Sequence, residues 1–243
     1  MRGKKSFGRL HHRLKQKAQD PYARPVIYVA FGDSVTQGCM EYGVIDHDAV
    51  YHQDLKRRIE RRYPGTTLSV INSGASGDNA HRSRERWQRD LISFQPDLVT
   101  VAFGINDCHQ GNAGLKAYLQ AMEDLTGLIR RETEADLLVM TPTNMLMLHP
   151  NPNIDPRDEA YISGFQNTAN QRYLHIYAEA LRMWIRENRL PHADIFALWE
   201  QMETQGIDIH FRLSNGLNHP DRVFHQQLAE ELENVIFDSI DLT

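Results

Sequence analysis

At 243 residues, with 24% charged and 41% apolar residues and a formal net charge of −5, the chain has the composition of a soluble globular protein able to bury a sizeable core. That balance gives no footing to a charge-driven nucleic-acid partner, and the two cysteines, Cys39 and Cys108, make neither a disulfide framework nor a metal-ligand pattern. No stretch is apolar for long enough to span a membrane.

The chain begins MRGKKSFGRLHHRLKQKAQD, with seven Lys or Arg before its first acid, Asp20. This stretch lacks the apolar core of a secretory signal, so the cytoplasm is the expected location. Residues 1–22 read as a basic arm, a solvated tail or short surface helix, ahead of a single domain over 23–243.

Short β-rich runs then recur at Val26–Phe31, Leu68–Asn72, Leu98–Phe103, Asp136–Thr141 and, less distinctly, Asp194–Trp199. Helical periodicity fills the intervals: residues 47–63, with Val50, Leu55 and Ile59 on one face, then 114–132, 166–189 and a final helix over about 223–240. Strands alternating with helices predict βαβ units, hence an α/β fold: a three-layer α/β/α sandwich around a mostly parallel sheet of about five strands. Residues 142–165 contain four prolines and no period, which predicts a long irregular loop of the kind that serves as a lid. The Met145–Leu148 run within it suits either a buried core or an apolar acyl pocket.

An open α/β sheet binds ligands beyond the carboxyl ends of its strands, so the polar loops there are read together. After the first strand comes Gly32-Asp33-Ser34, with Gly38 four residues beyond the serine; after the second, Asn72 to Asn79; after the third, Gly104-Ile105-Asn106-Asp107. Before the last helix lies Asn215-Gly216-Leu217-Asn218-His219-Pro220. Ester acyl transfer needs a nucleophile, a base and donors aimed at a developing oxyanion, and these loops hold one of each. Ser34 offers a hydroxyl on a sharp turn, Gly77 an unhindered backbone, Asn106 a neutral amide donor and His219 an imidazole base. Asp33, Asp78 and Asp107 read as turn-forming rather than catalytic. The twelve histidines show no spacing for a helical zinc site, so no metal or other cofactor is expected.

Taken in order, these blocks resemble the SGNH hydrolase superfamily, the GDSL esterases and lipases, from about residue 26 to 240. The resemblance implies the flavodoxin-like SGNH fold, Ser34 as nucleophile, His219 as base, and an oxyanion hole of Ser34, Gly77 and Asn106. The chain departs from the family at one position: the aspartate three residues before the histidine is replaced by Gly216, and no carboxylate lies between Asp208 and His219. The group that orients His219 is expected to be a main-chain carbonyl of the 215–217 turn assisted by Asn215, with Asp208 as the competing candidate. The resemblance implies a small-molecule ester substrate, first an acetyl ester of a carbohydrate; a lipase or thioesterase, and a catalytically weak carbohydrate-binding protein, are the alternatives. Nucleic acid and membrane spans are not expected, and a homo-oligomer is compatible with the sequence.

Overall fold

A computed structural model describes residues 7–146 and 153–238. The elements run α1 (Gly8–Gln19), β1 (Val26–Gly32), α2 (Ser34–Gln37), α3 (Tyr51–Arg62), β2 (Leu68–Gly74), α4 (Trp87–Asp90), β3 (Leu98–Ala102), α5 (Gly111–Glu132), β4 (Asp136–Met140), α6 (Glu159–Asn170), α7 (Tyr173–Asn188), β5 (His192–Ala193), α8 (Ile195–Thr204) and α9 (Arg222–Asp238). The strands form one sheet in the order β2-β1-β3-β4-β5, and every pairing is parallel.

Strand alternation divides the apolar residues between two cores. Val29, Phe31, Val99, Val101 and Val139 face α5 and α7 through Met122, Leu125, Tyr177 and Leu181. Tyr28, Ala30, Leu138 and Met140 belong to the opposite core with Leu10 and Leu14 of α1, Leu55 and Ile59 of α3, and Phe224 and Leu228 of α9. Because both faces are covered, the central strands are almost continuously apolar.

Four sequence expectations change here. The basic N-terminal stretch takes the helical alternative rather than the solvated tail, and it packs onto the domain instead of standing apart from it: α1 buries Leu10 and Leu14 completely, and Arg9, Arg13 and Arg24 converge on the buried Asp97. The fifth strand is only His192–Ala193, and most of the 194–199 run is helical, because Asp194 accepts a hydrogen bond from the Ala197 N–H and caps α8. The single helix expected over 166–189 is two, broken where Arg172 adopts a left-handed conformation (φ 56°). Of the expected 142–165 loop, residues from Glu159 onward already belong to α6, while Met147 and Leu148 lie outside the described residues.

The register brings the ends of three strands level. Gly32 pairs with both Gly74 and Ala102, so the segments after β1, β2 and β3 leave the sheet side by side.

Candidate active site

Ser34 opens the single-turn helix α2, whose cap is the Asp33 carboxylate accepting the Val35 N–H at 3.0 Å. Burial pushes the Asp33 carboxyl up to about 7, with the charges of Asp107 and Asp78 adding to the shift. Gly38 ends the turn at φ 96°, and a β-carbon there would lie 2.8 Å from the Asp46 carbonyl oxygen. The glycine four residues past the serine is therefore required twice, by its backbone and by close approach. The chain then doubles back, with Met40 N–H donating to the Val44 carbonyl and Asp46 N–H to that of Gly38.

The loop after β2 carries Gly77 at φ 73°, with open space where a β-carbon would stand. Its glycine answers to the backbone conformation, and the open space beside it leaves the backbone as unhindered as the sequence suggested. Asn106, after β3, donates one amide hydrogen to the Asp78 carbonyl at 2.8 Å. Since a carboxamide has two N–H groups, that bond fixes the amide and leaves its second hydrogen for a ligand. Asp107 accepts from the Ala80 N–H, and burial pushes its carboxyl up to about 7 as well.

Arg86 ties this flank together. Its buried guanidinium donates to the Asp78 carboxylate at 2.7 Å and to the carbonyls of Ser73 at 2.7 Å and Gly32 at 2.9 Å, and it lies 4.2 Å from the centre of the Phe31 ring. One side chain thus clamps the ends of β1 and β2 to the turn that presents Gly77. Sequence reasoning missed it, because Arg86 sits in the run RSRER, where nothing separates it from its charged neighbours.

His219 is presented by a turn built on Asn215. The Asn215 side-chain oxygen accepts the N–H groups of Leu217, Asn218 and His219 at 2.9–3.0 Å, and Gly216 supplies the positive φ of 71°. Neither residue reaches the imidazole by a hydrogen bond among the described residues. His219 Nδ1 instead lies 3.0 Å from the Met40 carbonyl oxygen, 179 positions away in the chain. A carbonyl only accepts, so Nδ1 carries the hydrogen and Nε2 keeps the lone pair a base requires. The acceptor is a main-chain carbonyl, but it comes from the loop after α2 rather than from the 215–217 turn. Asp208 is likewise engaged locally, accepting from the N–H and Nδ1 of His210. Burial lowers the pKa of His219 below its usual 6.5, opposed by the Met40 bond.

Ser34, Gly77, Asn106 and His219 line one open cavity of about 530 Å³. Tyr42 and Ile45 wall it on the side of the Met40 loop; Asp158, Tyr161 and Phe165 come from the region expected as a lid. Met145 and Leu146 are fully buried and are not among the lining residues. Among the described residues no cluster of three or more His, Cys, Asp or Glu could hold a metal ion, no helix is long and apolar enough to cross a membrane, and both cysteines are free thiols.

A family model described as the GDSL-like lipase/acylhydrolase family matches residues 30–227. A lipase/acylhydrolase from Enterococcus faecalis superimposes with a TM-score of 0.64 at 21% identity, over 86% of this chain and 95% of that one. An acetylxylan esterase from Geobacillus stearothermophilus gives 0.65 at 20% identity, over 90% and 97%. At such identities the likeness is one of fold. A curated acetylxylan esterase of the same organism is 40% identical over 45 residues, which is 18% of this chain and a fifth (20%) of that protein's length.

Proposed function

The chain belongs to the GDSL-like lipase/acylhydrolase family, and from that premise we propose that it is a serine esterase that removes small acyl groups, acetyl first, from carbohydrate. The observation that carries the reading is the meeting of Ser34, Gly77, Asn106 and His219 in one cavity, with the imidazole tautomer set by Met40.

In this mechanism the Ser34 oxygen attacks the ester carbonyl while His219 Nε2 takes its proton. The oxyanion is met by the backbone N–H groups of Ser34 and Gly77 and the free amide hydrogen of Asn106. Collapse breaks the bond to the alcohol oxygen, which receives the proton from His219. Water, deprotonated by the same imidazole, then attacks the acyl-enzyme, and collapse of the second tetrahedral adduct returns the proton to Ser34.

Two features support a sugar on the alcohol side. Gln37, Glu41, Asp158 and Asn218 place hydrogen-bonding groups among the apolar residues that line the cavity. Tyr42 and Tyr161, 43% and 61% exposed, flank it with rings that combine an apolar face and a polar tip. The acetylxylan esterase relatives support the acetyl group.

Ser34→Ala tests the reading. Hydrolysis of p-nitrophenyl acetate should fall by roughly 10⁴ to 10⁶ with the circular dichroism spectrum unchanged. Wild-type rates in that variant would end the proposal, and a preference for long-chain over acetyl esters would move the substrate to lipids.

A further inference from the structure

The bond that sets the His219 tautomer joins two loops far apart in sequence, and a single neutral hydrogen bond is too weak to hold them in register. Where a triad carboxylate stands on the same turn as its histidine, the register is built into the chain; here the acceptor, Met40 O, arrives on another segment. Something else has to fix one loop to the other.

Resting on the serine esterase reading above, we propose that Arg222 is a positioning residue for catalysis, clamping the Met40 loop onto the His219 segment so that the Met40 carbonyl stays on Nδ1. Arg222 begins α9, three residues past His219. Its guanidinium donates to Glu41 Oε1 at 2.6 Å and Oε2 at 3.3 Å, and through Nε to Asp46 Oδ2 at 2.8 Å. Glu41 is the residue after Met40, and Asp46 closes the same loop through its N–H bond to the Gly38 carbonyl. Both carboxylates therefore belong to the loop that carries the carbonyl His219 uses. The planar guanidinium presents several N–H groups at fixed angles and grips both carboxylates together, which an ammonium point charge does not.

Arg222 and Glu41 are both more than two-fifths exposed. Exposed ion pairs contribute little singly, but the bidentate Arg222–Glu41 contact joined to Asp46 makes a network, which holds the local register and stays separable from the fold. Its effect lies on the orientation of one ring.

The experiment compares wild type with Arg222→Gln, Arg222→Lys and Glu41→Gln by kcat and KM on p-nitrophenyl acetate, thermal unfolding, and ¹⁵N NMR of the His219 ring nitrogens. In wild type Nδ1 should appear as the protonated nitrogen. Arg222→Gln should lower kcat roughly tenfold, the order of one lost neutral hydrogen bond, with the two tautomers mixed and the unfolding temperature nearly unchanged. Arg222→Lys should restore only part of both signals. If Arg222→Gln fails to fold, Glu41→Gln carries the same two readouts; because Glu41 lines the cavity, its KM is set aside and kcat and tautomer decide. Unchanged kcat, or a lower kcat with the Nδ1–H tautomer intact, would overturn the clamp. The NMR readout needs no turnover, so it still judges the clamp if Ser34→Ala removes the esterase reading.

Discussion

On one flank of Ser34 the proposed oxyanion donor Asn106 hangs on the Asp78 carbonyl, and Asp78 on Arg86, with Asp78 only 5% and Arg86 only 9% exposed. On the other flank His219 leans on a main-chain carbonyl, and the loop bearing that carbonyl is tied down by an ion cluster open to solvent. The difference teaches that one site can fix its electrostatics and its base by separate means. The buried, mutually paired charges of Asp78 and Arg86 make the oxyanion flank stiff and costly to disturb. A neutral acceptor and exposed charges make the base flank cheap to disturb, with consequences for rate more than for folding.

The harshest way to break the contrast is Arg86→Met. Methionine keeps much of the stem's volume but leaves the Asp78 carboxylate buried without its cation and takes one donor each from the Ser73 and Gly32 carbonyls. Removing one partner of a buried pair costs about 3–5 kcal/mol, so chemical denaturation should register a loss of that size. A loss under about 1 kcal/mol, the range of an exposed pair, would erase the distinction between the flanks.

Asn106→Ala acts on the same flank but on the reaction. Loss of one oxyanion donor costs about 2.7–4 kcal/mol of transition-state stabilisation, so kcat should fall by two to three orders while KM barely moves. Unfolding should respond far less than to Arg86→Met. A rise in KM at constant kcat would assign Asn106 to substrate binding instead.

The contrast also separates what the sequence disclosed from what it concealed. Ser34, Gly77 and Asn106 follow strands whose apolar runs are visible, and the parallel register makes their loops neighbours, so their meeting in one cavity could be anticipated. β5 was harder, because a two-residue edge strand has no period and the Asp194 cap turns the following apolar run into a helix. Met40 left no trace at all: its contribution is a carbonyl, which every residue carries, and its partner lies 179 positions away. Arg86 and Arg222 were hidden differently, since a chain with 27 Lys and Arg does not say which few are buried or aimed.

The pH dependence of kcat/KM sharpens the comparison on the base flank. Burial lowers the His219 pKa, and its Nδ1 acceptor carries no charge to raise it again as a carboxylate would. A base with a lowered pKa stays neutral to lower pH than a free imidazole, so the midpoint of its activity loss lies below 6.5. At pH 6.5, where a free imidazole is half protonated, the enzyme should keep more than about half of its plateau rate. A His219 ring titration centred above 6.5 would mean that an anion faces the ring, whereas an acid limb near 7 over a neutral ring would report Asp33 or Asp107.

Asp208 is the anion that sequence alone would nominate, and its substitution should have the smallest effect of all. Its carboxylate accepts the N–H of His210 at 3.0 Å and the His210 Nδ1 at 3.0 Å, so both bonds close a turn on the exposed surface. Asparagine keeps an acceptor oxygen for the backbone bond, and the charge it removes is well screened by solvent. Asp208→Asn should therefore change kcat by less than about twofold, against the roughly 10⁴-fold loss that follows when a triad acid loses its charge. A thousandfold drop with an unaltered unfolding curve would place Asp208 on His219 during turnover, and the base flank would then run on a buried charge as the oxyanion flank does.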